Sequence, residues 1–185
     1  MRLFVSLNPD PALLAWFGEA QRKARAELGP IESAIRWVRP EAVHLTLAFL
    51  GETGSAAPVE AALGKVTETT GPLAVEVGGW GCFPNVRRPA VLWMGIVDPT
   101  GGLTRLHRAL AIALSSVTKP ERRPFSPHLT LGRVRPGRGD ARLGRAIASL
   151  SPVPSHPWNP RGFALMESRL DASGVTHHLL AEYPL

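Results

Sequence analysis

The tetrapeptide His-Leu-Thr-Leu occurs twice in this chain, at residues 44–47 and again at residues 128–131. Both copies lie in segments whose residue pattern predicts β-strands, at residues 43–50 and 128–134. Because strand side chains alternate between two faces, the histidine and threonine of each copy share one face and the two leucines share the other. We therefore expect each strand to bury its leucines and to present one imidazole and one hydroxyl.

The size and composition of the chain are those of one globular domain. It has 185 residues, of which 44% are hydrophobic and 19% charged, and a chain of this length buries about 70% of its unfolded surface without a metal or a disulfide. Its single cysteine, Cys82, excludes an internal disulfide and a zinc site built from several cysteines. The formal net charge of +6 favours a polyanionic partner as much as a role in solubility.

The order of the predicted elements indicates an α+β fold. Helices are predicted between Asp10 and Gly29 and at residues 58–70, 103–117 and 143–150, from apolar stripes at helical spacing. Strands are predicted at residues 2–7, 35–38, 43–50, 73–77, 91–97, 128–134, 162–169 and 175–182, with loops at 78–84 and 151–160. Several strands follow one another without an intervening helix, which favours antiparallel sheets over a doubly wound parallel sheet.

The repeated motif suggests an internal duplication within a single domain, residues 1–185. Two pseudo-symmetric lobes, each with one motif strand, would bring the two His-x-Thr faces together in one cleft. One neutral imidazole would then take a proton from a nucleophile while the other, protonated, gives one to a leaving oxygen. The threonine hydroxyls would donate to the oxygens of a phosphate held between them. Such a site needs no metal or cofactor and suits a strained cyclic phosphodiester.

Paired motifs of this kind resemble those of the two-histidine (2H) phosphoesterase superfamily. The flanking segments look like those of the bacterial RNA 2′,3′-cyclic phosphodiesterases, also called 2′-5′ RNA ligases (LigT-like). The matching segments are Arg-Trp-Val-Arg-Pro at 36–40, His-Leu-Thr-Leu-Ala-Phe-Leu-Gly at 44–51 and Phe-Ser-Pro-His-Leu-Thr-Leu-Gly-Arg at 125–133. This resemblance implies a bilobal fold in which two antiparallel sheets with flanking helices surround a central cleft. It also implies an enzyme that opens a terminal 2′,3′-cyclic phosphate on RNA to a 2′-phosphate.

The resemblance further implies a role for each motif residue. His44 is the general acid that protonates the departing 3′ oxygen, and His128 is the general base for water. Thr46 and Thr130 hold the phosphate, and Arg133 contacts it as well. No metal or cofactor takes part, and the same site run in reverse would join a cyclic end to a 5′-hydroxyl as a 2′-5′ ligase.

Two of the candidate residues stand at positions where a regular strand would turn them away from the cleft. Arg133 is five residues past His128, so we predict a bulge or a strand end at Gly132 that brings its side chain back. Phe49 has the same relation to the first motif, and is either a core residue or a platform on which a base stacks. Phe83, in the glycine-rich segment 78–84, is a second candidate for stacking.

The sequence departs from the usual family pattern in two places. Gly132 stands where relatives often carry alanine. Val-Thr-His-His at residues 175–178 stands where a tyrosine is expected in the last strand, so no substrate contact is predicted from it. His177 and His178 are expected to face opposite sides of that strand.

Partners and alternatives follow from the same residues. We expect a cytoplasmic monomer that acts on RNA ends, such as those of tRNA fragments, or on nucleotides. The apolar stretch at the start is short and is interrupted at residues 8–11, and no segment is long enough to span a membrane. The alternatives are a 2H enzyme acting on another cyclic or 2′-5′-linked nucleotide, and a non-catalytic module that binds RNA or nucleotides.

Overall fold

The strands and helices of the computed structural model follow the predicted order, with one additional strand at His156–Trp158, in a segment predicted as a loop. The structure describes residues 1–118, 124–171 and 174–185, and these form nine strands and four α-helices. The strands are Arg2–Leu7 (β1), Ile35–Trp37 (β2), Leu45–Glu52 (β3), Val75–Phe83 (β4), Val91–Val97 (β5), His128–Val134 (β6), His156–Trp158 (β7), Gly162–Asp171 (β8) and Gly174–Pro184 (β9). The α-helices are Pro11–Leu28 (α1), Ala57–Thr67 (α2), Gly102–Ala113 (α3) and Ala141–Ala148 (α4), and 3₁₀ turns occupy Gly29–Ala34, Pro40–Ala42 and Leu114–Ser116.

The first helix shows how local sequence sets its own boundaries. The Asp10 carboxylate accepts a hydrogen bond of 2.9 Å from the Leu13 backbone N–H, which satisfies one of the free donors at the start of α1. Pro11 occupies the first turn, where its missing N–H costs nothing. Gly29, with φ of 55°, ends the helix in a conformation that few other residues adopt. None of the helices among the described residues has both the length and the apolar character to cross a membrane.

The strands form two antiparallel sheets, as the sequence predicts. One sheet has the order β3-β1-β8-β9 and the other β2-β6-β5-β4-β7. All seven strand pairings among the described residues are antiparallel. The predicted α+β class with two antiparallel sheets is therefore confirmed.

Both sheets bury one face against the same hydrophobic core. The four motif leucines all belong to that core and are at most 3% exposed; they are Leu45, Leu47, Leu129 and Leu131. The helices contribute the residues of their predicted stripes, including Phe17 of α1 and Leu110 of α3. Burial of the leucines leaves the histidine and threonine of each motif on the opposite face of its sheet.

A β-bulge in β6 turns Arg133 to the same face as the second motif. Thr130 lies opposite Trp93 of β5, and Arg133 lies opposite Val91. Three positions along β6 thus match two along β5, and Leu131 is the extra residue. Because Trp93 and Val91 share one face, Thr130 and Arg133 do so as well. The predicted bulge is confirmed, one residue before Gly132.

The same irregularity occurs at the same motif position in β3. Thr46 lies opposite Ser6 of β1 and Phe49 lies opposite Phe4, so Leu47 is the extra residue. Phe49 therefore faces the same side as Thr46, and its side chain is 58% exposed. Of the two predicted alternatives for Phe49, a place in the core is wrong.

A buried glutamine of α1 holds the bulge of β6 in place. The Gln21 side chain is 8% exposed, and its Nε2 donates to the carbonyl oxygen of Leu131 at 3.1 Å and to that of Val38 at 2.8 Å. The Val38 N–H also donates to the Leu131 oxygen at 2.9 Å. The bulged carbonyl therefore has two donors, which satisfies a group that the regular ladder would leave unpaired.

Gly132 serves close packing at the edge of the sheet. A Cβ at this position would lie 2.5 Å from Cγ2 of Ile35, which is buried, and 3.1 Å from the carbonyl oxygen of Arg36. The absence of a side chain lets β2 approach β6. The close packing of Ile35 therefore explains why position 132 carries glycine and not the alanine expected there.

Two segments predicted as loops are strands. Residues 78–83 continue β4, because Gly81 lets the Trp93 ring of β5 lie directly against the backbone and Gly79, with φ of 74°, accommodates a bulge. Residues 156–158 form β7 on the edge of the same sheet, where Pro157 is tolerated because an edge strand does not need every N–H. Both errors arise because glycine and proline indicate turns when the partner strand is unknown.

Two helical glycines give a matched test of packing. A Cβ on Gly144 of α4 would collide with the backbone carbonyl of Val86, whereas a Cβ on Gly64 of α2 would meet nothing within 4 Å. We expect Gly144→Ala to lower the free energy of unfolding by about 1–3 kcal/mol. We expect Gly64→Ala to raise it by about 0.5–1 kcal/mol through helix propensity. Urea titration measures both, and stabilisation by Gly144→Ala would contradict the close contact of α4 with the connection between β4 and β5.

Candidate active site

The two motif histidines lie at the starts of two neighbouring strands that belong to different sheets. His128 is the first residue of β6 and His44 directly precedes β3, and these two strands are in contact. The positive charges of His128 and Arg133 each act on His44 strongly enough to lower its pKa. We call the region between the two motif faces the cleft. The structure therefore brings together the two histidines that the sequence predicted as partners.

Both histidines are oriented by the same kind of backbone contact. Nδ1 of His44 lies 3.0 Å from the carbonyl oxygen of Ala42, and Nδ1 of His128 lies 2.7 Å from that of Ser126. A carbonyl oxygen only accepts hydrogen bonds, so Nδ1 is the protonated nitrogen in each ring. Nε2 is then left to exchange a proton with a ligand, as a base when the ring is neutral and as an acid when it is charged.

An aromatic ring supports each imidazole. The Phe4 ring lies 4.9 Å from that of His44, and the Phe83 ring lies 4.9 Å from that of His128, between ring centroids. Phe83 also packs against Trp93, at 5.1 Å. The structure thus places Phe83, a predicted stacking residue, beside the second histidine. Phe4 lies outside the main core but is only 3% exposed, because the rings of His44 and His177 pack against it.

Burial makes both imidazoles harder to protonate. The pKa of His44 is lowered from 6.5 to about 4; desolvation by burial is the largest cause, and the charges of His177, Arg133 and His128 act in the same direction. The hydrogen bond to Ala42 acts in the opposite direction. Desolvation also lowers the pKa of His128, and the charge of Arg133 adds to this effect. Both rings are therefore neutral in the unliganded site at pH 7, and an anion would favour their protonation.

The remaining predicted site residues share the cleft faces. His128, Thr130 and Arg133 share a face, since they lie opposite Gly95, Trp93 and Val91 of β5. Arg133 is exposed and its side chain has no hydrogen bond or ion pair within the described ranges. Thr46 and the exposed Phe49 line the other sheet. Hydroxyls, a free guanidinium and two imidazoles form a site suited to a phosphate.

His177 is a neighbour of the first motif that the sequence did not indicate. Its ring lies 5.0 Å from that of His44 and 5.0 Å from that of Phe4, between centroids. It lies opposite Ser168 of β8, whose Oγ is 3.3 Å from Nδ1 of His177. His178 lies opposite Glu167 on the other face, as predicted. The register between β8 and β9 places the His177 ring beside Phe4 of β1. This register cannot be predicted from the residues around His177 in the sequence.

Two antiparallel sheets with a His-x-Thr motif strand in each define a two-histidine phosphoesterase. A model of the 2′-5′ RNA ligase superfamily matches residues 9–172. The chain belongs to this superfamily.

Two named relatives and two solved structures each match at least 94% of this chain. It is 32% identical over 176 residues to an RNA 2′,3′-cyclic phosphodiesterase of Archaeoglobus fulgidus, across 94% of both chains. It is 30% identical over 203 residues to one of Thermus thermophilus, across 100% of this chain and 90% of the relative. A crystal structure of a Thermus thermophilus protein superimposes with a TM-score of 0.83 at 27% identity, across 100% of this chain and 98% of that chain. That of Escherichia coli LigT complexed with 3′-AMP gives 0.71 at 27% identity, across 100% and 97%.

The contact between His44 and His177 can be measured by titration. Replacing His177 with phenylalanine keeps a ring against His44 but removes a charge that disfavours protonation of His44. We expect His177→Phe to raise the pKa of His44 toward 6.5, followed by NMR of the imidazole C–H signals across the acidic range. His178→Phe, one residue along on the other face, is the matched control and should leave the His44 titration in place. An unchanged titration in His177→Phe would contradict this electrostatic contact.

Proposed function

We propose that this protein hydrolyses the 2′,3′-cyclic phosphate at the end of an RNA chain to a 2′-phosphate. The observation that carries the proposal is the pair of imidazoles whose Nδ1 atoms are fixed by backbone carbonyls and whose Nε2 atoms are left for a ligand. Beside them lies Arg133, whose side chain has no partner among the residues that the structure describes. The names of the curated relatives support the same reaction. A module that only binds RNA would not need two histidines held in this way.

Each imidazole transfers one proton in the proposed reaction: one ring accepts a proton and the other donates one. Nε2 of His128 takes a proton from water, and the water oxygen forms a bond to phosphorus. The bond between phosphorus and the 3′ oxygen breaks, and Nε2 of His44 gives its proton to that oxygen. The products are a 2′-phosphate and a free 3′-hydroxyl, with one water consumed. The Thr46 and Thr130 hydroxyls donate to the phosphate oxygens, and Arg133 stabilises their negative charge.

The low pKa of His44 bears on which histidine is the acid. An acid role requires His44 to be protonated, which the phosphodiester anion favours once it lies between the two rings. The opposite assignment, with His44 as base and His128 as acid, is the second candidate, because burial keeps His44 neutral in the free enzyme. Both assignments use the same two nitrogens and the same bond changes.

The same site supports ligation when another hydroxyl replaces water. A 5′-hydroxyl of a second RNA end would lose its proton to the base and attack the cyclic phosphate, giving a 2′-5′ linkage. Hydrolysis of another cyclic or 2′-5′-linked nucleotide uses the same groups. The net charge of +6 favours RNA ends, including those of tRNA fragments, over small neutral ligands.

The two sheets are proposed to be pseudo-symmetric lobes of one domain. The order β3-β1-β8-β9 corresponds to β6-β5-β4-β7, and the extra residue of each bulge is the second leucine of the motif. Phe49 and Arg133 then occupy equivalent positions. Since one chain supplies both histidines, a monomer would have a complete site. We propose that the protein acts as a monomer, and that it does so in the cytoplasm.

Removal of either imidazole tests the acid–base pair. The substrate is an oligonucleotide with a 2′,3′-cyclic end, with a chelator present throughout, and the product is followed by chromatography. We expect His44→Ala and His128→Ala each to lower kcat by at least about 100-fold, because each removes one proton transfer. Full activity of either variant would contradict the mechanism, and loss of wild-type activity with the chelator would contradict its independence of metal.

An activated substrate separates the two assignments. In a p-nitrophenyl phosphodiester, the p-nitrophenolate leaving group departs as the anion. Hydrolysis of this ester therefore does not need the general acid. The variant that lacks the acid should regain most of its activity on this ester, and the variant that lacks the base should not. Recovery of His44→Ala supports His44 as the acid, and recovery of His128→Ala supports the reverse.

The pH dependence should lie on the acidic side of ordinary histidine chemistry. The active form has one imidazole protonated and one neutral, and both pKa values lie below 6.5 in the free enzyme. kcat/KM should therefore peak below pH 6.5 and fall as rising pH deprotonates the one imidazolium to its neutral form. The profile of kcat should lie at higher pH, because the bound phosphate raises both pKa values. A kcat/KM that stays constant from about pH 4 to about pH 8 would exclude paired histidine catalysis.

A further inference from the structure

Arg36 lies directly beside the phosphate-facing arginine. In the antiparallel pair of β2 and β6, Arg36 is opposite Arg133, and directly opposed residues share one face with Cβ atoms about 4.5–5.5 Å apart. Both side chains are exposed. On the other side of Arg133, Val91 of β5 lies opposite it, and Phe83 of β4 lies opposite Val91. The Phe83 ring in turn contacts that of His128. Arg36 is therefore one strand further from the catalytic pair, on the same face.

The two arginines have no acidic partner in the part of the chain that the structure describes. Neither guanidinium has a hydrogen bond or ion pair there. Glu32, the nearest carboxylate along the chain, is bound to Trp37 Nε1 at 2.6 Å and to Arg25 Nε at 3.2 Å. Two like charges directly opposed across a sheet destabilise it. An anionic ligand with more than one phosphate would compensate both.

The strand that carries Arg36 is short but firmly anchored. Ile35 is 2% exposed, and Trp37 is fixed by its bond to Glu32 and by Arg25, whose guanidinium lies 5.7 Å from the ring centroid. Gln21 joins the end of β2 to the bulge of β6. The backbone at Arg36 is therefore held in place relative to Arg133, so only the side chain has to be ordered when it binds an anion.

We infer that Arg36 is a second phosphate site, which holds the phosphodiester 5′ of the terminal nucleotide while Arg133 holds the cyclic phosphate. The inference rests on the proposed function and adds the substrate class: the site selects an RNA chain over a cyclic mononucleotide. A mononucleotide has no phosphodiester at that position, so Arg36 contributes nothing to its binding. Arginine suits this role because its planar fork binds phosphate oxygens in pairs.

Two substrates that differ only in chain length test the inference. They are adenosine 2′,3′-cyclic phosphate and a five-nucleotide RNA ending in the same cyclic nucleotide. We expect Arg36→Gln to lower kcat/KM about tenfold on the RNA and to change it less than about twofold on the mononucleotide. The dependence of log kcat/KM on log salt for the RNA should become shallower by about 0.7, the value for one phosphate contact of a single strand.

Arg142→Gln is the matched control. Arg142 is an exposed residue of α4, a helix that packs Leu143 and Ile147 into the core. This variant removes the same charge outside the proposed path and should leave both substrates and the salt slope as in the wild type. Thermal unfolding of each variant shows whether β2 remains folded.

The outcomes separate this inference from the proposed function. Equal losses on both substrates would place Arg36 at the cyclic phosphate and overturn the inference, as would no loss on either. If the wild-type enzyme turns over neither substrate, the proposed function is overturned instead. In that case, binding of the 2′-phosphate forms of the same two molecules still decides: the inference requires Arg36→Gln to weaken binding of the RNA alone.

Discussion

One extra residue in each motif strand decides which side chains meet in the cleft. Without Leu131 as a bulge, Arg133 would point into the core with the leucines, and without Leu47 the ring of Phe49 would do the same. A strand with a strict period of two cannot place a histidine, a threonine and a residue three positions beyond that threonine on one face. The bulges also leave both leucines buried, so the core and the site are satisfied by the same local distortion.

Burial of the two imidazoles sets the electrostatic character of the site. The rings rest on Phe4 and Phe83, and this apolar support removes water that would stabilise a charged ring. Arg133 adds a fixed positive charge that opposes protonation further. The free site is thus poised with neutral rings, and a bound anion would supply the charge that stabilises the acid form. In the proposed mechanism, binding of the anion therefore also favours protonation of the imidazole that acts as the acid.

The sequence predicted those parts of the fold and site that depend on neighbours along the chain. The helix start at Asp10, the motif strands and the buried leucines all follow from alternation, capping and periodicity. The strand at residues 78–83 and the position of His177 do not, because each depends on the register of a partner strand far away in sequence. Gly81 indicates a turn until the Trp93 ring that occupies its empty side is known. Gln21 stands within the apolar stripe of α1, which was the available signal for a buried polar contact, although its partner carbonyls are revealed only by the fold.

The hydrogen bond from Gln21 to the bulge couples α1 energetically to the proposed phosphate site. The helix packs on the core through apolar residues, yet its one buried amide holds the carbonyl that sets the direction of Arg133. Any ligand that requires Arg133 in the cleft therefore favours the docked helix, and by reciprocity the docked helix favours that ligand. If Arg133 binds phosphate as proposed, loosening of α1 would weaken that binding, so affinity for phosphate would report on the integrity of a helix that does not contact the ligand.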